Sequence, residues 1–145
     1  MIEGFYPLIQ VYSFIIGTSV GSFLNVMIYR IPNNKSIIRP RSKCTNCSNP
    51  INWYDNIPIF SFLILRGKCR HCDTVINIRY PLIELIGGLL ALSFLDIYGL
   101  TFQFGLFLLL SYMLIAITFI DIDHYIIPNQ FIIFGMIAGI GAHVL

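Results

Sequence analysis

Lysine and arginine are missing from nearly half of this 145-residue sequence, since neither occurs after residue 79. Charged residues of any kind make up only 11% of the chain, whereas hydrophobic residues make up 57%. A soluble domain needs more polar side chains to cover its surface, so the composition excludes an ordinary soluble protein and indicates a membrane protein. The first apolar run also has no basic residue before it, which favours a retained membrane anchor over a cleavable signal peptide.

Four apolar segments account for most of the chain. They run from about Phe5 to Tyr29, from Leu82 to Leu95, from Leu100 to Ile120, and from about Ile126 to Leu145. About 20 apolar residues in a helix cross a hydrocarbon core of roughly 30 Å. We therefore predict an all-α polytopic membrane protein with about four transmembrane helices.

All of the basic residues fall in one polar segment between the first two apolar runs. Nine Lys and Arg side chains and two Asp side chains give residues 30–79 a net charge of +7. The positive-inside rule places this loop in the cytoplasm. The amino terminus is then outside, and the Asp-rich turn at residues 121–129 returns to the cytoplasmic side.

The same loop contains every cysteine of the chain. Cys44, Cys47, Cys69 and Cys72 form two C-x2-C pairs separated by 21 residues. In a reducing compartment such pairs favour a structural Zn²⁺ site with four thiolate ligands over disulfides. The alternatives are two redox pairs or four incidental thiols. His71 lies inside the second pair and is interpreted as a bystander.

Small and polar residues interrupt the apolar runs at a few positions. Gly17 and Gly21 form a GxxxG pattern, which is typical of close helix packing in lipid. Asn25 and Glu84 lie near the cytoplasmic ends of the first two runs. An ionisable residue in a membrane segment suggests a functional site, but Glu84 is equally consistent with a group that reaches the interface or pairs there.

Two carboxylates lie where the third run meets the cytoplasm, in the segment DIDHYIIPN at residues 121–129. Asp121 and Asp123 either cap helix ends or lie among solvated headgroups, or they take part in acid–base chemistry. The second interpretation requires an Asp at the edge of the bilayer whose raised pKa lets it share a proton and activate water. Position alone does not decide between these readings.

Several motifs in fixed order resemble those of the bacterial type IV prepilin peptidases, over nearly the whole chain. They are the two cysteine pairs, GSFLNVMIYRIP at 21–32, DNIP at 55–58, LRGKCR at 65–70, RYPLIE at 79–84 and DIDHYIIPN at 121–129. The family consists of polytopic inner-membrane aspartic peptidases that cleave prepilins and pseudopilins at the cytoplasmic face. Many members also methylate the new amino terminus with S-adenosylmethionine.

The resemblance assigns the first catalytic Asp to Asp121, seven residues before Pro128 in a D-x6-P arrangement. The second catalytic Asp of the family belongs to a GxGD motif, which does not occur in these 145 residues. Asp123 is a poor substitute, because residues two apart on a helix point in nearly opposite directions. The chain alone is therefore expected to be inactive.

The resemblance also implies the organisation and the partners of the chain. Residues 1–95 correspond to the amino-terminal domain with the cysteine loop, and residues 96–145 to an incomplete first part of the peptidase core. The expected partners are prepilins or pseudopilins, membrane lipids and a second segment or subunit carrying the GxGD helix, and not nucleic acid. The alternative is a noncatalytic zinc-binding membrane scaffold or an inactive fragment of the enzyme.

Overall fold

The computed structural model describes the backbone of residues 5–144 and the side chains of 5–137 and 139. Within this range the chain forms five α-helices: α1 Tyr6–Arg30, α2 Phe60–Ile64, α3 Arg79–Tyr98, α4 Phe102–His124 and α5 Asn129–Val144. A 3₁₀ turn covers Trp53–Asn56. The described chain contains two isolated β-bridges and no β-strand. The all-α fold and the loop between the first two long helices are thus confirmed.

Three helices are long and apolar enough to cross a membrane within the described range. These helices are α1, α3 and α4, with 25, 20 and 23 residues. The fourth predicted segment corresponds to α5, which has 16 residues in the described range and is not among these three helices. The predicted domain limits include residues 1–4 and 145, which lie outside the described residues.

Helix α1 packs most closely against α3, and glycine makes this approach possible. A Cβ atom added at Gly17 would lie 2.6 Å from the Gly87 carbonyl oxygen, and one added at Gly21 would lie 2.7 Å from the Cα of Glu84. The GxxxG pattern of α1 therefore faces small residues of α3, Gly87 and Gly88. Helix association in lipid depends on such close packing because the lipid supplies no hydrophobic drive.

Helix α4 completes the core on the side of the loop. Its buried residues Tyr112, Ala116 and Ile120 cluster with residues of the other long helices and of α5: Leu24, Ile28, Ile83 and Phe131. The Tyr112 hydroxyl donates a hydrogen bond to the Gly87 carbonyl oxygen at 3.0 Å. Thr101 caps the start of α4 by accepting from the Phe104 N–H, and Tyr125 ends it in the left-handed conformation.

Candidate functional site

The two cysteine pairs form two turns with the same backbone structure. Each turn is closed by an isolated β-bridge, Lys43 with Pro50 and Lys68 with Val75. In each turn the N–H of the first cysteine donates to a carbonyl five residues later at 2.9 Å. The residue after the second cysteine has positive φ in both, 59° at Ser48 and 54° at Asp73. The segment thus contains a structural repeat that presents two sulfur atoms from each turn.

The four sulfur atoms converge on one point between the turns. The Sγ atoms of Cys44 and Cys72 are 3.8 Å apart, those of Cys47 and Cys69 are 4.0 Å apart, and all four lie within 4.8 Å of one another. Tetrahedral zinc with Zn–S bonds of about 2.3 Å requires sulfur atoms about 3.8 Å apart. The cluster therefore has the donor set and the spacing to hold a metal ion of this type, and His71 is not part of it.

The thiols of this cluster do not ionise alike. Hydrogen bonds from the Thr74 side chain and backbone lower the pKa of Cys72 to about 6. The backbone N–H groups of Cys47 and Asn46 lower the pKa of Cys44. The Asn49 N–H favours the Cys47 thiolate, but desolvation and the neighbouring thiols raise the pKa of Cys47 to about 11. Adjacent thiolates repel one another, so a cation is needed to hold all four ionised.

A partly exposed ion pair connects the second cysteine turn to the rest of the loop. Arg70, between Cys69 and Cys72, binds the Asp55 carboxylate in a bidentate arrangement with N···O distances of 2.6 and 2.9 Å. The Asp55 side chain is only 8% exposed. The Arg70 guanidinium, chiefly through its hydrogen bonds, lowers the pKa of Asp55. This contact fixes the cysteine subdomain on the 3₁₀ turn that contains Asp55.

Glu84 attaches the loop to helix α3. Its side chain is largely buried, and its Oε2 accepts a hydrogen bond from the Ile59 N–H at 2.7 Å. Ile59 has a φ of 62°, and the Phe60 N–H donates to the Pro58 carbonyl oxygen at 2.6 Å, which makes this a γ-turn. Such a turn is strained for a β-branched residue. Glu84 therefore stabilises an unfavourable backbone conformation at the start of α2.

The two carboxylates at the end of α4 have different surroundings. Arg79, at the start of α3, forms a bidentate ion pair with Asp123, in which Nη2 and Oδ1 are 2.9 Å apart. Asp121 is exposed, and its side chain makes no hydrogen bond or ion pair with any residue that the structure describes. Asp123 is thus used to join α3 to α4, while the carboxylate of Asp121 stays available.

A cavity of about 990 Å³ lies between the loop and the loop-side ends of the long helices. Its wall includes Cys44, Cys69, Glu84 and Asp123, together with basic side chains such as Arg39. Asp121 is not on this wall. The structure therefore brings the four cysteines together and brings Glu84 and Asp123 near the loop, but it does not join Asp121 to the cysteine cluster.

Three contacts of this region were not predicted from the sequence: Arg70 with Asp55, Arg79 with Asp123, and Glu84 with Ile59. Their partners are separated by 15, 44 and 25 residues along the chain. The only signal in the sequence was the presence of ionisable residues at the ends of apolar runs. That signal identified Glu84 and the Asp pair without indicating what they contact.

Comparison with known proteins supplies an independent line of observation. Residues 15–97 match the family described as Bacterial Peptidase A24 N-terminal domain. The chain is 47% identical over 136 residues to a prepilin leader peptidase/N-methyltransferase of Myxococcus xanthus, covering 94% of the chain and 41% of that protein. No solved structure matches the chain.

Further relatives with the same name occur in other bacteria. The protein of Neisseria gonorrhoeae is 39% identical over 140 residues, covering 80% of the chain and 49% of that protein. The protein of Pseudomonas aeruginosa is 34% identical over 142 residues, covering 82% and 49%. The chain thus spans less than half the length of these relatives.

Proposed function

Because the chain belongs to the bacterial peptidase A24 amino-terminal domain family, we propose that it is the membrane-embedded amino-terminal part of an aspartic endopeptidase. This enzyme removes leader peptides from type IV prepilins or pseudopilins. The names of the relatives support this substrate class. They also support methylation of the new amino terminus, for which S-adenosylmethionine is the methyl donor. Residues 1–95 form the loop-bearing domain and residues 96–145 the first part of the peptidase core.

The observation that carries the catalytic proposal is the contrast between Asp121 and Asp123. An aspartic peptidase needs two carboxylates that share one proton and hold the attacking water. Asp123 is neutralised by Arg79 and lies two positions further along the same helix. Asp121 is exposed and free of any described partner, so it is the residue able to meet a second carboxylate from another segment. We assign the first catalytic role to Asp121.

The cysteine cluster has a structural role in this proposal. Cys44, Cys47, Cys69 and Cys72 would hold Zn²⁺, which would neutralise the thiolates and close the two turns on one another. The loop has few buried apolar residues, so metal binding would supply much of its folding free energy. The residues of this chain then keep Asp55, Arg70 and the start of α2 in fixed positions beside the ends of the membrane helices.

The orientation in the membrane follows from the charges. All nine basic side chains lie in residues 30–79, which supports a cytoplasmic loop and an outside amino terminus in the bacterial inner membrane. The net charge of +7 also favours anionic lipid headgroups as partners of the loop and disfavours a basic leader peptide as its main ligand. An impermeant thiol reagent that labels Cys44 from outside intact cells would contradict this topology.

A leader-cleavage assay in proteoliposomes tests the catalytic proposal. The chain is combined with a segment that carries the GxGD helix, and Asp121→Asn is compared with the matched variant Asp123→Asn. We expect the Asp121 variant to lose about 100-fold or more of the activity, because one of two acid–base groups is gone. The Asp123 variant should retain most of it.

Three results would count against the proposal. Cleavage by the chain without the second segment would show that Asp121 does not need a second carboxylate from a GxGD helix for peptide cleavage. Unchanged cleavage by Asp121→Asn would remove this residue from the mechanism. Absence of cleavage from every mixture, with zinc bound and the helices folded, would favour the noncatalytic scaffold.

A further inference from the structure

The short helix α2 exposes an apolar face that the proposed peptidase function does not use. Phe60, Leu63 and Ile64 are 65%, 64% and 74% exposed. Their spacing of three and four residues places them on one side of the helix. A five-residue helix with most of its large side chains in water would be unfavourable, because removing Leu, Ile and Phe side chains from water is a main source of stability.

The opposite side of α2 is held firmly by the loop. The Phe62 ring is partly buried and packs on Gly67, where a Cβ atom would lie 3.0 Å from Cζ of the ring. The Gly67 N–H donates to the Phe62 carbonyl oxygen at 2.8 Å. Gly67 has a φ of 68°, a conformation that suits glycine. The apolar face therefore cannot turn inward without breaking this turn.

The contact with Glu84 sets the depth of α2 relative to the membrane helices. Glu84 follows Arg79, the first residue of α3, by five residues, so it lies about 7.5 Å along the helix axis from that end. Its carboxylate holds the Ile59 N–H, immediately before α2, at 2.7 Å. Helices that lie in a membrane surface bury their apolar face about 5–10 Å into the boundary between headgroups and acyl chains. Taking Arg79 as the membrane-surface end of α3, we infer that the start of α2 lies at the depth of that boundary.

Basic residues follow the apolar face directly. Arg66 and Lys68 are exposed, and neither side chain forms a hydrogen bond or ion pair with a residue in the described range. Long basic side chains next to a membrane extend toward the phosphate groups while their aliphatic parts lie along apolar surface. The charge of this flank is complementary to anionic lipid.

We propose that α2 is inserted in the lipid leaflet on the side of the loop, with Phe60, Leu63 and Ile64 among the acyl chains. Arg66 and Lys68 lie at the level of the phosphate groups. The cysteine subdomain is then attached to the bilayer at two places, through the ends of α1 and α3 and through α2. Its orientation beside the end of α4 is fixed by the membrane as well as by the protein.

Quenching of tryptophan fluorescence by brominated lipid tests this placement. Trp53 is the only tryptophan of the chain, so Trp53→Phe gives a silent background. Leu63→Trp reports on the apolar face of α2. Val75→Trp is the matched control, because Val75 is 75% exposed but lies on the second cysteine turn. Each variant of the full chain is placed in phosphatidylcholine and phosphatidylglycerol vesicles with and without bromine on the acyl chains.

Brominated acyl chains should reduce the emission of Leu63→Trp about twofold or more and that of Val75→Trp clearly less, because only residue 63 lies at acyl depth, whereas Val75 pairs with Lys68 at the level of the phosphate groups. Ile64→Trp, on the same face, should behave like Leu63→Trp. Equal quenching at residues 63 and 75 would overturn the proposal. A blue-shifted but unquenched emission at both 63 and 64 would also overturn it, because the face would then be covered by protein, either a second copy or another segment. Circular dichroism checks that each variant keeps its helices.

Discussion

The close approach of α1 and α3 leads to a quantitative prediction for Gly17→Ala. The new methyl group would lie 2.6 Å from the Gly87 carbonyl oxygen, 2.7 Å from the Ala91 Cβ and 2.9 Å from the Gly88 Cα. Favourable contacts between such atoms require about 3.5–4.0 Å. None of the three atoms can move by a side-chain rotation, so the two helices would have to separate by about 1 Å.

This separation affects contacts on both sides of Gly17. A gap of 0.5–1 Å forfeits about a quarter to a half of the dispersion energy of each atom pair across it. The hydrogen bond from the Ser13 hydroxyl to the Ala91 carbonyl oxygen, now 3.1 Å, would lengthen as well. Overpacking of this kind typically costs about 1–3 kcal/mol. We expect Gly17→Ala to lower the free energy of unfolding by that amount.

Gly105→Ala in α4 is the matched control, because a Cβ atom at this position would have no described atom within 4 Å other than those of its chain neighbours and of the adjacent helix backbone. Alanine favours a helix by up to about 1 kcal/mol over glycine, so this variant should be as stable as the original chain or more stable. Unfolding by sodium dodecyl sulfate in mixed micelles, followed by circular dichroism, measures both. Equal stability of the two variants would refute the argument from helix packing.

Three further predictions concern the loop and its attachment. Purified protein should contain one Zn²⁺ per chain by elemental analysis. The double variant Cys44→Ser, Cys69→Ser should lose the zinc, whereas His71→Ala should keep it. Original protein without zinc would contradict the metal site. Arg79→Gln and Asp123→Asn should each destabilise the chain by about 0.5–1 kcal/mol, with the double variant no worse than either single one, because both lose the same partly exposed ion pair. Additive losses in that cycle would mean that the two side chains do not interact. Asp55→Asn should remove part of the pH dependence of loop stability, because the pKa of Asp55 is lowered in the folded state. The stabilisation that the Asp55 carboxylate provides is therefore complete above the usual carboxyl pKa of about 3.9. It is lost as the pH falls through the lower pKa of the folded state. Unfolding curves of the variant and the original chain should therefore converge at acid pH, and a constant difference between them would contradict the assignment.

Features that depend on neighbouring residues along the chain were predictable from the sequence. The long apolar runs around the polar segment 30–79 became α1, α3 and α4, because a chain in lipid must satisfy its backbone hydrogen bonds locally in helices. The two C-x2-C pairs became two like turns, because the spacing of two residues within each pair defines the local geometry. Helix α4 ends at His124, four residues beyond the end of the predicted apolar run at Ile120, so Asp121 and Asp123 lie within its last turn.

Which surfaces meet was decided only by the tertiary structure. The membrane helices are apolar on all sides, and lipid is as apolar as a protein interior, so the sequence carries little information on which face packs. The GxxxG pattern predicted a close contact of α1, but not that Gly17 would meet Gly87, 70 residues away. In the same way, the family resemblance assigned the catalytic role to Asp121, but nothing in the sequence indicated what either Asp121 or Asp123 contacts. In the folded chain Arg79, at the start of α3, pairs with Asp123, while Asp121 has no described partner. The sequence could not show this, because an ion pair depends on distance in space and not on distance along the chain.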